Sequence, residues 1–234
     1  MMSVDEIELK LKAFLNSFCN FHKRNYEKFA DILLRAYDGD LRGLQPIDKE
    51  LTKDLADLIT TLKAIRIHTL YKLENFTEKF RNDYRQVYVV DCLGLPDLYA
   101  LMCNLNNIKF DFKIFLNQRT NTQAFKDVFV SDTMADVARK LKAQAITELD
   151  KQLHKIVEMA NNKEFTRNEI LNIVVERMNY VSSLLTLHAK AKTMILTDHG
   201  YDIIRVGSRY IINHIFPPDT KPALAKLAIV VLLK

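Results

Sequence analysis

The sequence predicts an α/β fold, with a largely parallel sheet flanked by helices and preceded by an N-terminal helical subdomain. Three observations lead there. Apolar residues recur at three- and four-residue spacing through the first 84 positions, the signature of amphipathic helices. From about residue 85, short β-branched and aliphatic runs alternate with helical stretches, as strands do when crossover helices join them. Gly and Pro number only five each in 234 residues and Trp is absent, which disfavours an all-β sandwich with its many turns. The chain therefore divides into a helical cap or bundle over residues 1–84 and an α/β domain over residues 85–234.

The first helical stripe carries Ile7, Leu9, Leu11, Phe14, Leu15, Phe18, Cys19 and Phe21, and the second runs from Tyr26 to Ala36. The turn-prone YDGDLRG stretch, residues 37–43, ends the second. A third helix starts near Pro46 or Asp48 and carries Leu51, Leu55, Leu58, Leu62, Ile65 and Leu70. Beyond residue 85, strands are expected at 86–91, 110–116, 145–149, 193–197 and 227–233, with a hairpin of 202–206 and 209–213 across Gly207-Ser208. Helices are expected at 97–104, 122–129, 134–142 and 167–188. In such sheets ligands gather outside the carboxyl ends of the strands, so functional residues should lie just after them.

Composition narrows the classes. No run approaches the roughly 18 apolar residues of a membrane span, and the first dozen residues carry acids where a signal peptide needs an apolar core. The cysteines, Cys19, Cys92 and Cys103, are odd in number and unpatterned, which fits free thiols in a reducing cytoplasm. A net charge of +5 draws anionic ligands, phosphates or nucleic acid, although the charges are interspersed along helices as on a solvated surface.

Six side chains meet the strand-end criterion or come near it. Asp91 closes the run 86–91, Asp198 and His199 close 193–197, and His214 closes 209–213. Asp150 and His154 follow 145–149 and fall on one face if that segment is helical. Each has a bland explanation taken singly. Asp91 could cap the next helix, Asp150 and His154 could sit on a solvated helix face, and His214 could be a satisfied surface histidine. Two adjacent titratable groups after a buried strand are harder to assign to packing. Together the three carboxylates and three imidazoles suit zinc, manganese or magnesium.

The runs VYVVDCLG (87–94), D-x-x-x-H (150–154), TDHGYD (197–202) and RYIINH (209–214) resemble, in that order, the metal-ligand motifs of the alkaline-phosphatase superfamily, its PglZ-like branch in particular. The resemblance covers roughly residues 85–234. It implies one divalent cation held by Asp150, His154 and His214 and another held by Asp91, Asp198 and His199, zinc first and manganese or magnesium otherwise. It also implies a Ser or Thr nucleophile at a helix start between Asp91 and Asp150. In LNQRTNTQAFKDVF (116–129) that is Thr122, with Thr120 second, and either could instead be a simple N-cap. Asn121 or Arg119 could help hold a phosphate oxygen.

The expected activity is a two-ion phosphoesterase acting on a phosphorylated substrate through a phospho-threonine. Two alternatives stand beside it. One is a non-catalytic PglZ-like module of a multi-protein or defence system, docking a protein partner through the N-terminal helices. The other is a metal-dependent nuclease, for which nucleic acid is the partner.

Overall fold

Each apolar run of the second part becomes a strand in the computed structural model, which describes residues 2–105, 108–159, 164–214 and 221–234. The strands are β1 (Gln86–Val90), β2 (Phe110–Leu116), β3 (Gln144–Ile146), β4 (Thr193–Thr197), β5 (Asp202–Val206), β6 (Arg209–Asn213) and β7 (Leu227–Leu233). Around them lie α1 (Val4–His22), α2 (Tyr26–Asp38), α3 (Pro46–Ala64), α4 (Lys72–Phe80), α5 (Leu95–Asn104), α6 (Thr122–Val128), α7 (Met134–Lys140), α8 (Glu148–Met159) and α9 (Arg167–Thr186). Among the described residues, no helix is long and apolar enough to cross a membrane.

The fold is α/β, but the sheet is mixed where a largely parallel one was expected. Its order is β2-β7-β4-β1-β3, and β5 pairs with β6 in a separate hairpin. β1 runs parallel to β3 and β4, whereas β7 runs antiparallel to both β2 and β4. The cause lies in the connection. Among the described residues only the short 3-10 turn Leu224–Lys226 lies between β6 and β7, and Gly200, just past β4, donates its N–H to the Ala225 carbonyl. The chain thus re-enters the sheet at the carboxyl end of β4 and has to run backwards.

Alternate residues of every central strand serve different faces, as the pleat requires. Tyr88, Val90, Ile195, Ile229 and Val231 join α1, α2, α3, α5 and α9 in one core. Val87, Val89, Met194, Leu196 and Val230 join α4, α6 and α7 in the other. β7, buried on both faces, is accordingly aliphatic throughout. The first 84 residues contribute α1–α3 to one core and α4 to the other.

Local chemistry sets the helix ends. Ser3 and Glu6 form a capping box on α1, Thr166 and Glu169 form one on α9, and Pro46 opens α3. The third helix stops at Ala64, short of the expected Leu70. Lys226, buried, donates from Nζ to the Leu62 and Ile65 carbonyls and so caps it. The following residues reach the open border of the sheet, where Thr69 donates its N–H to the Leu116 carbonyl. Three outward N–H groups of β2 are occupied there by side chains. Phe112 donates to Asp111, Ile114 to Glu8 and Leu116 to Thr69.

Candidate metal centre

β1 and β4 are hydrogen-bonded neighbours with Val90 opposite Thr197, so Asp91 and Asp198-His199 emerge side by side. The turn after β1 is strained. Cys92 has φ of 62°, a left-handed conformation costing a residue with a side chain roughly 1–3 kcal/mol. Two bonds hold it: its N–H donates to Asp198 Oδ1 at 3.0 Å, and its carbonyl accepts from Arg177 at 2.7 Å. Close packing continues on either side. A Cβ at Gly200 would stand 2.7 Å from the Leu224 carbonyl oxygen, and one at Gly94 would overlap the Tyr201 ring.

The other ligands arrive from a helix and the hairpin. The expected strand 145–149 is shorter, Gln144–Ile146, and α8 begins at Glu148. Asp150 therefore sits in the first turn of a helix, with His154 one turn on and its Nε2 3.3 Å from Asp150 Oδ2. His214 follows β6 and places Nδ1 3.8 Å from Asp150 Oδ1. Its ring stacks on that of His199 with centroids 4.4 Å apart, which joins the two groups. Asp91, Asp198 and His199 form an inner, buried trio. Asp150, His154 and His214 form an outer trio, open at His154, which is 47% exposed.

Thr122 is the first residue of α6, capped by Asn121, whose side chain accepts from the Ala124 N–H. The Thr122 hydroxyl lies 3.3 Å from Asp91 Oδ1, to which it donates, and 3.4 Å from His199 Nε2. Thr120 has φ of 51° in the loop before it and is hydrogen-bonded to none of the six through its side chain. Arg119, mostly exposed, is paired with Asp127 at 3.1 Å.

The charges are unbalanced in a telling way. Burial, and then the charges of Asp198 and Asp150, push the Asp91 carboxyl well above the usual range. Burial likewise raises Asp198 and lowers His199. Burial, with His199 and His154 nearby, lowers His214 to about 3. His199 Nδ1 faces the Gly200 carbonyl at 3.0 Å, which assigns the proton to Nδ1 and leaves a bare lone pair on Nε2. That lone pair faces Asp198 Oδ2 at 3.2 Å. Two acceptors point at each other, although their spacing satisfies an ion-pair distance.

A cation fits between them. Asp198 Oδ2, Asp150 Oδ1 and His214 Nδ1 are buried and have no hydrogen-bond partner. Ligand bonds of about 2.0–2.2 Å in a tetrahedron put donor atoms roughly 3.3–3.6 Å apart, close to the separations of 3.2–3.8 Å here. The donor set, carboxylate oxygen and imidazole nitrogen, suits zinc or manganese. Cys92, His199 and His214 also bring their ligand atoms within 4.8 Å of one another, so a thiol stands beside the two imidazoles.

Several residues with a part in this arrangement carry no motif. Asn117, fully buried after β2, donates from Nδ2 to the Asn121 carbonyl at 2.9 Å and the Asp198 carbonyl at 3.0 Å, tying the Thr122 loop to the inner trio. Arg177 and Asp97, both fully buried, form an ion pair behind the site. An arginine inside an apolar helical stripe was the one available signal for them. Comparison with protein-family models, curated proteins and solved structures finds no match.

Proposed function

We propose that this protein is a divalent-metal-dependent phosphoesterase with Thr122 as its nucleophile, an alkaline-phosphatase-like domain of the PglZ-like kind. One observation carries the reading: buried, unpartnered acceptors of two adjoining trios converge beside a single threonine hydroxyl. Asp91, Asp198 and His199 would hold one cation, and Asp150, His154 and His214 the other. When bound, such ions polarise phosphoryl oxygens and ease ionisation of a coordinated hydroxyl.

The chain's own residues do the rest. Thr122 Oγ1 attacks phosphorus in line, its proton passing to Asp91 Oδ1, the acceptor already in contact. The bond from phosphorus to the leaving oxygen breaks, the alcohol departing with the proton that Asp91 Oδ1 took up and leaving phospho-threonine. Water then attacks phosphorus, the bond from phosphorus to Thr122 Oγ1 breaks, and one water proton returns to Oγ1 as phosphate is released. Asn117 holds the Thr122 loop against the Asp198 backbone during both displacements. The exposed side of His154 marks where the ester enters.

Metal analysis of the purified protein and a substrate panel test this. Retention of zinc or manganese with turnover of an aryl phosphate is expected. A phosphodiester and single-stranded DNA in the same panel separate monoesterase, diesterase and nuclease. Absence of cation binding at micromolar concentration would dispose of the proposal.

A further inference from the structure

Arg177 occupies the buried stripe of α9 made by Ile170, Val174, Met178, Val181 and Leu185, and is itself fully buried. An apolar residue would fill that position without the cost of desolvating a guanidinium, so packing does not account for it. Its contacts do. Nη2 donates to the Cys92 carbonyl at 2.7 Å and Nη1 to the Leu149 carbonyl at 2.8 Å. Nε lies 3.1 Å from Asp97 Oδ2, which also accepts from the Gly94 N–H. The guanidinium carbon sits 4.7 Å from the centre of the Tyr201 ring, whose hydroxyl donates to Asp97 Oδ1.

Each contacted segment adjoins a ligand. Cys92 follows Asp91, Leu149 precedes Asp150, and Tyr201 comes two residues after His199. One planar, five-donor group is thus bonded to the backbone beside both trios. An ammonium, a single point on a flexible stem, cannot reproduce that fork.

We infer that Arg177, anchored by Asp97, is a positioning residue that fixes the separation of the inner and outer trios through the Cys92 and Leu149 carbonyls. The inference rests on the two-cation reading and predicts that loss of the fork loosens both sites at once. The test is calorimetric titration with Zn²⁺, together with the cobalt(II) absorption spectrum, on the full chain.

Wild type, Arg177→Lys, Asp97→Asn and Leu58→Ala are compared. The last is a core change in α3 that lowers stability without touching either trio. Wild type should bind two equivalents. Arg177→Lys and Asp97→Asn should bind ten- to a hundredfold more weakly with an altered cobalt spectrum, the range typical of lost outer-shell support. Leu58→Ala should retain wild-type affinity and spectrum. Should Arg177→Lys fail to fold by circular dichroism, Asp97→Asn decides alone, since an amide keeps the acceptor for Gly94. A folded variant of either kind with wild-type affinity and spectrum overturns the positioning role alone. A wild type that binds no cation overturns the two-cation reading and the role with it.

Discussion

Replacing Asp198 by Asn should have opposite effects with and without cation. Asp198 is fully buried, and its Oδ1 accepts from the N–H groups of Cys92 and His199, each at 3.0 Å. An amide retains that acceptor and puts an NH₂ where Oδ2 now faces His199 Nε2 at 3.2 Å. A repulsive acceptor pair becomes a hydrogen bond, a gain of about 1 kcal/mol. Removing a carboxylate whose pKa burial has raised adds about 1.4 kcal/mol for each unit of that rise. The metal-free variant should therefore be more stable at pH 8 by more than about 1 kcal/mol, which for a chain this long is at least roughly 2–4 °C in Tm. Wild type, in turn, should gain about 2.7 kcal/mol from a site filled at a hundredfold excess over Kd, and the variant should forfeit that gain at the inner trio. Thermal denaturation at pH 8 in chelator and in Zn²⁺ or Mn²⁺ reads both effects. A variant that is less stable in chelator, or that keeps the full cation-dependent shift, would refute the reasoning.

Other expectations follow from the same geometry. Thr122→Val should lower aryl phosphate turnover at least about a thousandfold while both cations stay bound, as steady-state kinetics and metal analysis would read. Asn117→Ala should cost roughly 2–4 kcal/mol in denaturant unfolding, because one buried and one half-buried carbonyl lose their donor. For pH, the folded carboxyls of Asp91 and Asp198 hold protons more tightly than unfolded ones, so rising pH above about 4 works against the metal-free fold. His199 and His214 are depressed and act in the opposite sense only below the ordinary histidine value near 6.5. Metal-free Tm should thus fall between about pH 6.5 and 8, while cation affinity rises and protons are released, measurable by titration in two buffers. Cys19 and Cys103, with sulfurs 3.4 Å apart, should close into a disulfide under mild peroxide, detected by non-reducing mass mapping, and raise Tm by tying α1 to α5.

Strand-end chemistry was readable where the strands themselves were plain. Asp91, Asp198, His199 and His214 follow runs whose aliphatic content leaves little choice, and the pairing of β1 with β4 brings three of them together. Asp150 was expected just beyond a strand, sharing a face with His154 if that segment is helical; the strand ends sooner, at Ile146, and α8 carries the two one turn apart. The direction of β7 was not readable, because an unbroken aliphatic run looks the same in either sense. α4 was hidden for a different reason. Residues 65–71 leave the helical path to bond the border strand β2, a long-range contact that local periodicity does not register. Arg177 was hidden by its neighbours, since one charge in a stripe of Ile, Val, Met and Leu does not shift the period.

The border made by β2 has a consequence for how these molecules meet one another. Glu8, Thr69 and Asp111 already engage the Ile114, Leu116 and Phe112 amides that a visiting strand would need, so growth from this border between copies finds little to grip. Directly behind that border runs LAIVVLL, the stretch of this chain best suited to intermolecular stacking. Three small polar groups on the rim thus stand between the most adhesive seven residues and their counterparts in the next molecule.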